Sequence, residues 1–101
     1  LTYLVQGLTL NKLDFIHRGM LKLYNLENLK YDTTLFIEWI DQAEAIISEK
    51  VDLADVDRYL AAFVYMFYRH TNNALTKKEI IDYFDVTRYK LDKTIEFLMS
   101  I

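Results

Sequence analysis

The chain has 101 residues, 52% of them apolar and 15% aromatic, which is enough for one domain with one core and too apolar for a disordered chain. The absence of cysteine excludes disulfides, a thiol nucleophile and thiolate metal sites, and the longest apolar run, Tyr59 to Tyr68, is about half of the roughly 20 residues that a membrane-spanning helix needs. A net charge of −3 counts against an autonomous nucleic-acid binder, yet the charge is unevenly placed, with six bases against ten acids in residues 1–67 and six against five in residues 68–101.

Proline is absent and only Gly7 and Gly19 are glycines, so little interrupts a helical period that runs through the chain. The first eight residues, LTYLVQGL, read as a short lead-in or the tail of an earlier helix. Leu13, Ile16, Met20 and Leu23 then step by three, four and three, which predicts one apolar face on a helix from about Leu10 to Leu26. NLENLKYD ends it. Asp32 is placed to cap a second helix from Thr33 to about Lys50, with Phe36, Ile40, Ala43 and Ile47 along one side and Leu35, Trp39 and Ile46 widening it. Glu38, Asp41 and Glu49 fall on its solvated side.

Asp52 or Asp55 is positioned to cap a third helix, Val56 to Tyr68. This segment is apolar almost all round, so the expectation is a buried hub, with Ala61 and Ala62 allowing close approach. The asparagines of RHTNN suit a left-handed C-cap. Thr76 and Glu79 form a T-x-x-E capping box at the start of a fourth helix, Lys77 to Phe84, that points Ile80, Ile81 and Phe84 inward. DVT makes a turn, and Thr87 caps a fifth helix from Arg88 to about Ser100 with Leu91, Thr94, Ile95 and Leu98 as its buried stripe. The fold class is therefore all-α with five helices. Residues 1–101 are expected to form a single helical domain, and the start at Leu1 rather than methionine predicts a piece of a larger protein.

The last two helices have the length and polarity of a helix-turn-helix. EIIDYFDVT, Glu79 to Thr87, matches the pattern E-I-A-x-x-x-G-V-S with two departures. Ile81 stands where a small residue is usual. Asp85 stands where glycine is usual, and aspartate is among the residues that tolerate positive φ. The wider stretch DVDRYLAAFVYMFYRHTNNALTKKEIIDYFDVTRYKLDKTIEFL resembles the last three helices of a cyclin-like repeat of the transcription factor IIB type, and the two earlier helices occupy the places of its first two. The resemblance is specific over residues 55–98 and rests on helical order before that.

That resemblance implies a five-helix cyclin-like orthogonal bundle ending in a helix-turn-helix. It implies work in transcription, as a module touching promoter double-stranded DNA and a polymerase or partner factor. It also implies a DNA-facing surface on the outer side of the fifth helix and the start of the fourth, made of Lys77, Arg88, Tyr89, Lys90 and Lys93. On a helical wheel with Leu91 and Ile95 inward, Tyr89, Lys90, Lys93, Phe97 and Ser100 share the outward arc. Lys90 and Lys93 suit phosphates, and Arg88 or Tyr89 suits a base edge. Phe97 suits a protein contact. The alternative reading is a cyclin-like or other helical adaptor that binds only protein; a winged-helix regulator ranks lower, because no strands follow the fifth helix.

Other constellations read as structural. His17 and His70 are isolated, Asp52, Asp55 and Asp57 lack the glycine and closing glutamate of a calcium loop, and no glycine-rich phosphate loop occurs. No catalytic site, metal site, cofactor or membrane partner is expected. The expected compartment is the cell interior, the nucleus in a eukaryote and otherwise the cytoplasm.

Overall fold

The computed structural model of the chain describes residues 2–25, 33–69 and 75–101, and of residues 2–11 the backbone alone. Among these residues there are five α-helices and no strand: α1 (Thr2–Asn25), α2 (Thr33–Ser48), α3 (Val56–Tyr68), α4 (Lys77–Phe84) and α5 (Arg88–Ser100). They fall into two compact units, Leu1–Val56 and Asp57–Ile101. The expected caps at Asp32 and in the RHTNN segment lie outside the described residues, as does His70.

The first unit pairs α1 with α2. Here the sequence reading needs two corrections. The helical backbone of α1 begins at Thr2, eight residues before the expected start, so TYLVQGL is helix and Gly7 lies within it. The buried stripe of α1 is Phe15, Gly19 and Leu23, with Ile16 and Met20 half-buried, while Leu13, expected inside, is 55% exposed. On α2 the fully buried set is Leu35, Trp39, Ala43 and Ile46, and Phe36, Ile40 and Ile47 are only half-buried.

One side chain explains which faces of α1 and α2 are buried. Trp39 has no exposed surface, its ring centroid is 5.6 Å from that of Phe15, and its indole Nε1 donates to the Ile16 carbonyl at 3.0 Å. A buried indole needs a partner for its N–H, and meeting the α1 backbone requires a gap in the side chains of α1. Gly19 is that gap. The helices are thus turned so that the glycine faces the tryptophan, which carries Leu13 outward. α2 closes with tight bonds from Glu49 N to Ile46 O (3.1 Å) and Lys50 N to Ile47 O (3.2 Å), Lys50 taking φ 57°.

In the second unit α3 is buried at Tyr59, Leu60, Ala61, Ala62, Phe63, Val64 and Tyr68, while Tyr65, Met66 and Phe67, expected inside from the all-round apolar sequence, are half-buried. Its N-terminal approach is shaped by Asp52, whose Oδ1 accepts from Ala54 N at 3.0 Å. That bond forms a local turn ahead of the helix and leaves Asp55 as the residue before Val56. Ala62 has no exposed surface, so Ala62→Leu is expected to overpack the helix and cost about 2 kcal/mol, read as a lowered denaturation midpoint. A midpoint unchanged within error would mean that space for the larger side chain exists beside α3.

α4 and α5 follow the sequence closely. Glu79 N donates to Thr76 Oγ1 (3.2 Å) and Thr76 N donates to Glu79 Oε1 (3.3 Å), which completes the capping box. Ile80 and Phe84 are buried, and Ile81 is half-buried. Asp85 ends α4 in the left-handed conformation (φ 51°, ψ 46°), and Thr87 caps α5 by accepting from Lys90 N at 3.1 Å. Leu91, Thr94, Ile95 and Leu98 are the buried stripe of α5. Asp85 holds a positive φ with an exposed side chain, so Asp85→Gly is expected to be neutral or stabilising. A clear fall in melting temperature would instead assign its carboxylate a bond that the turn needs.

Candidate nucleic-acid interface

α5 is held against α3 by a polar contact inside the second unit. Thr94 has no exposed surface; its hydroxyl donates to the Lys90 carbonyl (2.7 Å) and accepts from Arg58 Nε (2.8 Å). This satisfies a buried hydroxyl twice. It also fixes the rotation of α5, because Thr94 must face α3. With Thr94 inward, Tyr89 and Lys93 fall on the solvent side of α5, while Arg88 in the first turn and Lys90, one turn before Thr94, flank them; all four are exposed. Tyr89 is 72% exposed, with Lys93 Nζ 5.8 Å from its ring centre. Lys93 also lies 3.8 Å from Glu96, one turn on, a surface pair of small energetic weight.

Four of the residues assigned to a DNA-facing surface are therefore exposed together in the first two turns of α5. Lys77 is different. Its Nζ donates to Asp92 Oδ1 at 2.8 Å and sits 5.7 Å from the Tyr65 ring centre. It ties the first turn of α4 to α5 and α3, so its charge is largely used within the chain. The charge of Asp92 is offset by this contact. Phe97, placed by the helical wheel on the outward arc, is half-buried with its ring centroid 6.1 Å from that of Tyr59. An aromatic at the edge of the arc gains more from covering a neighbouring ring than from facing water.

The Lys77 amine hydrogen bond holds the Asp92 carboxyl below its ordinary value of 3.8, with Lys77 and Arg88 adding attraction. A folded-state pKa below the unfolded one gives stability that is complete above the unfolded value and is lost as pH falls through the folded value. Lys77→Met is accordingly expected to lower the melting temperature at pH 7, and the gap from the unsubstituted chain should narrow as pH falls below about 4. A gap that stays constant down to pH 2 would show that the contact contributes through packing and not through charge.

No group of three or more His, Cys, Asp or Glu able to hold a metal ion occurs among the described residues. His17 is exposed on α1 and lines an apolar groove. No described helix is long and apolar enough to cross a membrane. The features that sequence reading missed are the Lys77–Asp92 tie, the Arg58–Thr94 contact and the groove beside His17. Each joins residues far apart in the chain, and no local spacing marks them. Comparison with protein-family models, with curated proteins and with solved structures gave no match to this chain.

Proposed function

We propose that this chain is a cyclin-like module of the transcription factor IIB type that contacts promoter DNA through the outer face of α5 and works beside a polymerase or partner factor. The observation that carries the reading is the exposed set Arg88, Tyr89, Lys90 and Lys93 in the first two turns of α5, with the Lys93 amine beside the Tyr89 ring. The left-handed Asp85 and the Thr87 cap supply the turn that such a motif requires. Arg88 lies in the first turn of α5, where a recognition helix meets base edges, and Lys90 and Lys93 follow at phosphate-contact spacing. Lys77 is reassigned in this reading: it holds α4 and α5 together in place of touching DNA.

The test is a fluorescence-anisotropy titration with random duplex DNA at low and at moderate salt. Binding that weakens steeply with salt is expected. Absence of binding at low salt would leave the protein-only adaptor as the better reading.

A further inference from the structure

The first unit carries a feature that the α5 reading does not use. His17, Met20, Leu21 and Tyr24 of α1 and Thr33, Phe36, Ile37 and Ile40 of α2 line an open groove of about 350 Å³. Leu21, Tyr24 and Ile37 are 49%, 69% and 55% exposed. Large apolar side chains exposed side by side mark a surface for association. The groove runs between two helices, which is the shape that receives a third helix.

The charges around it select the occupant. α2 carries Glu38, Asp41 and Glu44, all exposed, and no lysine or arginine between Thr33 and Ser48. Asp41 and Glu44 stand four residues after Ile37 and Ile40, one turn along the same face, and so form an acidic continuation of the groove. On the α1 side, Arg18 is paired with Asp14 at 2.9 Å, and Lys22 is the base of the last turn. A second copy seated groove to groove would bring both sets of α2 carboxylates together, with no basic residue on α2 to offset them. We infer that this groove binds an amphipathic helix of a partner protein, with an apolar stripe for Leu21, Tyr24 and Ile37 and flanking lysines or arginines for Asp41 and Glu44. The site is independent of the α5 surface, and its test contains no DNA.

The probe is a pair of synthetic helices of about 20 residues with the same leucine stripe, one with lysines and one with glutamates at every polar position. Binding to the chain is followed by calorimetry. The lysine helix is expected to bind at least about tenfold more tightly than the glutamate helix, and Ile37→Ser with Leu21→Ser to weaken it by about tenfold or more, the loss expected of interface anchors. Both positions are exposed, so unchanged circular-dichroism melting confirms that the variant remains folded. Asp41→Asn with Glu44→Gln, which keeps the apolar groove, is expected to bring the two helices closer in affinity. Equal affinity for both helices, or binding indifferent to the groove variants, overturns the inference. So does a concentration-dependent dimer of the chain that Ile37→Ser with Leu21→Ser abolishes, because the occupant would then be a second copy.

Discussion

Gly19→Ala is expected to destabilise the α1–α2 pair by about 3 kcal/mol, a large share of what holds a small unit together. A Cβ at Gly19 would lie 2.3 Å from Trp39 Cε2 and Cζ2 and 2.4 Å from Nε1. These are atoms of a rigid ring with no exposed surface, anchored by its bond to the Ile16 carbonyl. The indole cannot retreat without breaking that bond and leaving a buried N–H unmatched. Alanine is the better helix former by about 1 kcal/mol, but that gain is smaller than the clash. Trp39 is the sole tryptophan, so its fluorescence during urea denaturation reports on this pair directly. The midpoint should fall clearly in the variant. In a Trp39→Leu background the same glycine substitution should cost little, because the ring it strikes is gone. An unchanged midpoint for Gly19→Ala alone would mean that the two helices separate easily to admit a methyl group.

Lys90→Ala combined with Lys93→Ala is expected to weaken duplex binding by roughly tenfold, at about 0.7 kcal/mol per lost surface contact. The slope of log affinity against log salt should flatten by about two, one for each phosphate released. Both lysines are exposed on α5, so thermal stability should change little. Arg88→Ala in parallel should act differently, relaxing sequence preference while changing the salt slope less, if the first turn of α5 meets base edges. Affinity and slope unchanged in the double variant would remove α5 as the DNA surface. Phe97, half-buried on Tyr59, is a poor anchor for a partner by comparison, since part of its ring already serves the second unit.

What could be read from the sequence follows the range of the interactions. The capping box of Thr76 and Glu79, the left-handed Asp85 and the Thr87 cap all depend on groups within four positions of each other. Backbone sterics and hydrogen bonds at that range are settled locally, so the residue types alone determine them. The bounds of α3, α4 and α5 follow for the same reason.

The tertiary structure decided the rest. Leu13 was misread because periodicity identifies an apolar face but not which part of a broad face meets a partner. That choice was made by Trp39, twenty residues beyond Gly19, seeking both a space for its ring and a carbonyl for its N–H. Likewise, Lys77 has the composition of a nucleic-acid contact, and only the fold brings Asp92 within 2.8 Å to occupy it. A charge's partner and a helix's rotation are properties of what packs against them. For that reason the secondary structure and turn chemistry were determined by the sequence, whereas the α1–α2 interface, its groove and the division of labour among the lysines were determined by packing.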